Sequence, residues 1–411
     1  AANNTSVGHN ALFNATTGAD NTAVGKSAGE NITTGAENVA VGVTALDANT
    51  TGTRNTVLGH GALGALVGGY HENVAIGYNA LAVSTVNTGN VAIGAYAMDA
   101  TNSSSSTQCT AIGYKSMSGA LAGYGNTAVG DNTMLVATSA IENTCVGRSA
   151  LIALTTGDNN TAVGSFALDA NTTASNNTAV GYSALTANTT GTGNTAVGTL
   201  AGDAITTGTY NTTSGYAAAG AVTTGDGNVC IGSQAGLDTV ALTTGDYNVC
   251  IGTNTRTSAA DGDNQIVIGF DMTGQGNNNF SFGNQTTDSN IAFGATSITA
   301  PSDVRLKEDI QDEEVGLSFI NDLRPVTFQW KKEKDVPSEM RAHVADSEER
   351  VMNGKYNHGF IAQEVKEVID NHGLKDGFDM WTEDETDGRQ RIGEASLMPL
   401  MVKAVQELSA K

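Results

Sequence analysis

The sequence predicts a mainly β protein: a parallel β-solenoid of 17-residue rungs, followed by a smaller α-rich (α+β) C-terminal domain. The first observation is a period. Asn-Thr-Ala-Val-Gly recurs with its glycine at 8, 25, 42, 59, 77, 94, 113, 130, 147, 164, 181, 198, 215, 232, 252 and 269, and twelve of the fifteen intervals are 17 residues, the others being 18, 19 and 20. A fixed short period marks stacked coils, each one supersecondary unit resting on the last. The second is composition: 50 glycines among 411 residues and Thr-Thr-Gly turns suit short strands, and the repeat is too short and too poor in Leu and Lys for paired helices. The third is a break near Pro301. Residues 1–301 hold 5 of the 20 basic and 18 of the 42 acidic side chains, while both tryptophans (Trp330, Trp381) lie beyond it. We therefore expect a repetitive shaft over 1–275, a neck over 276–301 and a globular domain over 302–411.

Each rung reads by position relative to its glycine. One residue before it stands Val, Ile or Leu (Val24, Leu58, Ile76, Val163, Ile231), and three before it stands Thr or Val. Strand alternation puts these on one face, assigned here to the coil interior. Pairs such as Ala45-Leu46, Ala80-Leu81, Ala150-Leu151 and Ala184-Leu185 are expected to form the opposite wall. Four before the glycine stands Asn in nearly every rung (among them Asn21, Asn38, Asn143, Asn160 and Asn228), as a hydrogen-bonded amide ladder at the ~4.8 Å strand spacing. Two before it, every residue is small and uncharged, as in Ala128, Ala162 and Ala196. If the Val face is interior, these small residues face outward and must be covered, and the cheapest cover is another copy of the chain around a shared axis. A homotrimer is the expectation. Cys145, Cys230 and Cys250 occupy this small-residue slot and Cys109 replaces a ladder Asn, so buried substitution is favoured over a Cys230–Cys250 disulfide.

From Gly269 the spacing contracts and Phe280, Phe282 and Phe293 appear, which reads as a neck closing the solenoid. Beyond it, Val315–Leu323, Gly359–Ile369 and Glu394–Leu408 carry helical patterning. In the last, Leu397, Met401, Ala404 and Leu408 follow 4-3-4 spacing, a seam for self-association in a coiled coil.

Ser302-Asp-Val-Arg-Leu-Lys-Glu-Asp-Ile310, Leu323-Arg-Pro-Val-Thr-Phe-Gln-Trp330, Gly359-Phe-Ile-Ala-Gln-Glu364 and the terminal helix, in that order, resemble the intramolecular chaperone and self-cleaving peptidase domain that ends many phage tail fibres and tailspikes, endosialidases among them. The resemblance spans essentially all of 302–411. The solenoid is more loosely similar to the β-roll heads of trimeric autotransporter adhesins. The first resemblance implies a domain that gathers three chains, templates the shaft and releases itself. Carried onto this sequence, Ser302 is the nucleophile, Lys307 its base, Pro301–Ser302 the scissile bond, and Gln363 and Glu364 are supporting residues. A lysine serves as base to a serine hydroxyl when desolvation lowers its pKa. Any enzymatic activity is then a single-turnover self-cleaving serine endopeptidase with a Ser-Lys dyad.

A net charge of −22 opposes nucleic-acid binding. No apolar run approaches the ~18–20 residues that span a bilayer, and no cysteine or histidine spacing implies a metal or cofactor. The chain opens at Ala1 and reads as a piece of a longer fibre. The functional expectation is a virion part, outside the cell, that contacts a host-surface receptor, either a glycan or an outer-membrane component. Receptor contacts are expected on the period-breaking loops Gly64–His71, Thr101–Cys109 and Leu237–Tyr247, with Tyr70, Tyr124 and Tyr247 as candidate sugar platforms. The alternatives are a polysaccharide-depolymerising tailspike, an adhesin, or an ice-binding solenoid. For the first, Asp47, Asp99 and Asp169 share one rung position but stand roughly 14–19 Å apart, too far for paired glycosidase carboxylates. For the last, the Thr column from Thr110 to Thr212 is expected to be buried.

Overall fold

The computed structural model describes the chain apart from residues 1, 70, 86–87, 102–105, 120–121, 238–240, 296, 300–301, 375–379 and 384–387. It divides into two compact units, Ala1–Pro301 and Ser302–Lys411.

The first unit is a parallel β-solenoid. Each rung contributes a three-residue strand, and successive strands pair parallel and in register, as Thr144↔Thr161↔Thr178 and Ala162↔Ala179↔Ala196. Strand Gln265–Phe270 continues the stack and Asn279–Asn284 pairs parallel with it. Asp288–Ala292 then turns back antiparallel on Asn279–Asn284, which ends the parallel series. The rung glycine makes this stacking possible. Gly164 has φ +138°, and a Cβ there would lie 2.3 Å from the carbonyl oxygen of Gly181 on the next rung, so only glycine fits on both counts.

Inside the coil, Asn160 shows how the ladder works. Its backbone N–H and its Nδ2 both donate to Asn143 Oδ1, at 2.8 and 3.0 Å, and Nδ2 also donates to the Ala174 carbonyl at 2.9 Å. Its own Oδ1 accepts from the Asn177 N–H at 3.0 Å. One amide thus satisfies two buried backbone groups per rung that no strand could reach. Cys109 interrupts the ladder: its N–H still donates to Asn90 Oδ1 at 2.9 Å, but its thiol makes long contacts, 3.5 Å to Thr107 O and 3.7 Å to Gly123 O.

The facing of the strand is the reverse of the sequence reading. Ala128, Ala162 and Ala196 are fully buried within a single chain, whereas Val163 is 37% and Leu58 48% exposed. Alternation told which residues share a face but not which face is inside. Size decides that. A 17-residue coil already holds the ladder amide and a buried Ala-Leu pair such as Ala150-Leu151, leaving room opposite them only for Ala, Cys, Thr or an occasional Val. The branched residues therefore point outward, and the small-residue slot is covered by its own coil rather than by a sister chain. The Thr column is likewise on the outer face, with Thr144 and Thr195 exposed, so the expectation of its burial is also corrected.

All four cysteines are buried free thiols, Cys230 and Cys250 being register neighbours on adjacent strands. Burial pushes the Cys145 thiol well above its ordinary range.

The second unit has helices α1 (Leu317–Asp322), α2 (Ala362–Asn371) and α3 (Leu397–Ser409), with two short antiparallel ribbons, Val326–Phe328 with Asn357–Gly359 and Trp381–Glu383 with Gln390–Ile392. Phe319, Val365, Ile369, Met380, Leu397 and Leu400 form its core. Gly316 cannot cap α1 with a side chain, and Glu407 of α3 accepts the Leu317 N–H instead at 3.0 Å.

Candidate functional site

Ser302 and Lys307 are brought together by one turn. The Asp303 carboxylate accepts the Arg305 N–H at 2.9 Å and opens the 3₁₀ turn Val304–Leu306. The Lys307 N–H then closes it on the Val304 carbonyl at 3.2 Å. Lys307 Nζ consequently lies 2.8 Å from Ser302 Oγ, within hydrogen-bond reach. Arg305 folds back on Asp303 in a two-pronged ion pair, which holds the Asp303 carboxyl below its usual range.

Both dyad side chains are exposed in the single chain. An ammonium in water donates to a hydroxyl; it accepts the hydroxyl's proton only once desolvation favours the neutral amine. Val304, Leu306 and Ile310 around the dyad are each about two-thirds exposed, at 67%, 71% and 66%. Pro301 is outside the described residues.

Gln363 is exposed at the start of α2. Glu364 pairs with Arg324, whose guanidinium holds its carboxyl below the ordinary range, and so links α2 to the Leu323-Arg324-Pro325 segment. Its partner is therefore Arg324.

Helix α3 corrects the proposed seam. Leu397, Leu400 and Ala404 face α1 and the core, while Met398, Met401, Val405 and Leu408 are 62%, 49%, 63% and 55% exposed. The helix is apolar on two faces one residue apart, and the 4-3-4 reading mixed them. The outward set has 3-4-3 spacing, which is a heptad seam.

The shaft presents a second uncovered apolar surface. The columns one and three before the glycine, among them Val129, Val146, Val163, Val180, Val197 and Ile231, carry no charge in any rung and form a mainly Thr/Val/Ile surface, interrupted by Ser214. Single exposed apolar residues need no explanation, but a stripe running the length of a shaft does.

Among the described residues no group of three His, Cys, Asp or Glu is placed to hold a metal ion, and no helix is long and apolar enough to cross a membrane. Asp47, Asp99 and Asp203 all have their carboxyls raised above the ordinary range, burial being the main cause in each, but they lie on separate rungs. Tyr70 and parts of the Thr101–Cys109 and Leu237–Tyr247 loops lie outside the described residues. Tyr247 is 67% exposed, with one part of its ring lying against Gly227 of the preceding rung, where a Cβ would come within 2.8 Å of it.

Residues 302–374 match the family described as the chaperone of endosialidase. The match begins at Ser302 and ends before α3, a narrower span than the motifs implied. No curated protein matches the chain, and no solved structure does. The matched domain behind a β-solenoid shaft fits a tail fibre or tailspike with a C-terminal chaperone domain.

Proposed function

We propose that the chain is the host-contacting part of a viral tail fibre, that it works as a homotrimer, and that 302–411 gathers the three chains, templates the shaft and cuts itself free at Pro301–Ser302. The observation that carries this reading is the coincidence of three boundaries: the family match, the second compact unit and the dyad serine all begin at residue 302.

Physical need supports it. Neighbouring rungs are nearly identical, so a slip of one rung costs little locally, and register must be imposed from outside. Non-local parallel pairing also nucleates slowly. A clamp that joins three chains through the Met398, Met401, Val405 and Leu408 face of α3 would start all three shafts level. The outward Thr/Val/Ile columns would then close on one another as the shafts zip, burying the stripe. The same association would place neighbouring chains over Val304, Leu306 and Ile310, desolvating Lys307 so that it accepts the Ser302 proton. Ser302 Oγ would then attack the Pro301 carbonyl carbon, and the Pro301–Ser302 C–N bond would break as the Ser302 nitrogen takes up the proton passed through Lys307. Water would hydrolyse the resulting ester to leave a Pro301 carboxylate and a free Ser302 hydroxyl, with cleavage gated by assembly.

The purified full chain tests this with two masses. The expected result is a 1–301 fragment with the oligomeric mass of three shafts. An intact chain that sediments as a monomer overturns the reading.

A further inference from the structure

Asparagine and glycine abound in the shaft, yet the order Asn-Gly occurs once in the whole chain, at Asn353-Gly354 in the C-terminal unit. In the shaft the order is reversed, as in Gly89-Asn90, Gly125-Asn126, Gly193-Asn194 and Gly227-Asn228, and each ladder asparagine is followed by Thr or Val. The ladder amides are buried and bonded at both oxygen and nitrogen, as Asn160 is. Asn353 and Gly354 are exposed, on the segment that joins strands Val326–Phe328 and Asn357–Gly359.

The turn fixes the Asn353 side-chain amide. Its Oδ1 accepts two hydrogen bonds, from the Lys355 N–H at 3.1 Å and from Asn357 Nδ2 at 3.2 Å, and its Nδ2 donates to Asn357 Oδ1 at 3.3 Å. The Gly354 carbonyl accepts from Gln329 Nε2 at 3.3 Å, while among the described residues nothing accepts the Gly354 N–H. A Cβ on Gly354 would meet no atom within 4 Å. The peptide nitrogen next to the amide is therefore unhindered and unengaged. The amide oxygen, in turn, already has donors where negative charge develops when its carbon is attacked.

We propose that Asn353 is a self-modifying position, at which the Gly354 peptide nitrogen displaces the side-chain amide. The nitrogen bonds to Asn353 Cγ and gives its proton to water; the Cγ–Nδ2 bond breaks and Nδ2 leaves as ammonia. The product is a five-membered cyclic imide, and water opens either of its C–N bonds. Opening at Cγ leaves an ordinary aspartate. Opening at the backbone carbonyl leaves isoaspartate, whose main chain runs through Cβ and Cγ. Both routes exchange a neutral amide for a carboxylate, consume only water and are independent of the Ser302 dyad. Either product loses the Nδ2 donor to Asn357, and isoaspartate also inserts one main-chain carbon just ahead of Asn357–Gly359. The shaft is shielded from this chemistry: the β-branched residue after each ladder asparagine crowds the attacking nitrogen, and the coil holds the amide in place.

The test incubates the full chain at mildly alkaline pH and maps its peptides by mass spectrometry at intervals, with protein-L-isoaspartate methyltransferase counting the isoaspartate. We expect Asn353 to convert roughly tenfold or more faster than any other asparagine, to a mixture of isoaspartate and aspartate. It should also convert at least as fast as in a synthetic peptide of residues 350–357, because the turn presents the amide to the nitrogen. Gly354→Ala, whose methyl group enters open space, should slow conversion roughly tenfold or more. Asn357→Ala, which takes one donor from Oδ1, should slow it about twofold or more. The proposal is overturned if another asparagine converts first, if the chain lags behind the peptide, or if either variant converts at the parental rate or faster. The peptide comparison stands even if a variant fails to fold.

Discussion

The shaft and the C-terminal unit solve the problem of a core in opposite ways. Along the shaft, every inward position is filled by the coil itself: Ala162, Leu151, Leu168 and Asn160 are fully buried by neighbours of the same chain. Among its described residues the C-terminal unit buries a small core around Phe319, Val365 and Leu400 and leaves a long helix with Met398, Met401, Val405 and Leu408 uncovered. Both units leave an apolar surface open, the shaft along its Val/Ile columns and the C-terminal unit along α3. The difference is that neighbouring rungs are nearly interchangeable whereas α3 offers a single seam, and under the reading proposed above it is that seam which would fix register.

The sharpest way to break this comparison is to disable the dyad. Ser302→Ala should reduce release of the C-terminal unit by about a thousandfold or more, because no other group replaces the attacking oxygen. Lys307→Ala should do nearly the same, whereas Gln363→Ala should change release little. Mass spectrometry of the purified chains over time reads all three. Release by Ser302→Ala at the parental rate would remove the dyad from the account. Deleting 302–411 is the next largest perturbation. It should yield shafts that aggregate or remain single, and soluble trimers from that deletion would show that the shaft sets its own register.

Within α3 the two faces separate assembly from folding. Met401→Glu with Val405→Glu should lower the oligomeric mass while leaving the unit folded, since both side chains are exposed in one chain. Leu400→Ala should instead destabilise the unit by about 2–5 kcal/mol, as for other large-to-small changes in a packed core. Sedimentation and thermal melting distinguish the two. The shaft offers the same contrast on a smaller scale: Ala162→Leu inserts atoms into a filled coil and should cost about 1–3 kcal/mol. Val163→Ser, one residue along and outward, should leave single-chain stability almost unchanged and act only on association.

These paired substitutions also mark what was legible in the sequence. The period, the parallel stacking and the amide ladder could all be read, because each depends on spacing, and spacing is what a sequence records, whereas the pairing of Lys307 with Ser302 came from the family resemblance. The inward face of the strand could not be taken from the period, since Val163 and Ala162 alternate equally well in either orientation. Only the volume enclosed by a 17-residue coil decides between them. Helix α3 failed for a related reason: Leu397 and Met398 begin two apolar seams of similar quality, and packing on α1 selects the inner one.

Cys109 supplies the finest test of how far the shaft is self-sufficient. Along the ladder each amide oxygen accepts the buried backbone N–H of the next rung, as Asn143 Oδ1 does from Asn160, and the rung at Cys109 has a thiol in that place, a much weaker partner than Asn. In the unbroken rungs, Asn126 and Asn160 each donate from Nδ2 to a carbonyl fourteen residues on, at 2.7 and 2.9 Å, and Asn126 Oδ1 accepts the Asn143 N–H at 2.9 Å. Replacing the thiol by an amide should restore both bonds in a site already shaped for the preceding and following amides. Cys109→Asn is therefore expected to stabilise the shaft by about 1 kcal/mol, while Asn160→Ala, which strips the acceptor from the buried Asn177 N–H, should cost about 1–3 kcal/mol. Hydrogen exchange at Asn126 and Asn177 resolves both changes rung by rung. Were Cys109→Asn to destabilise the shaft, the break in the ladder would be a requirement of the widened rung around it, and the columns would be coupled more tightly than independent stacking allows.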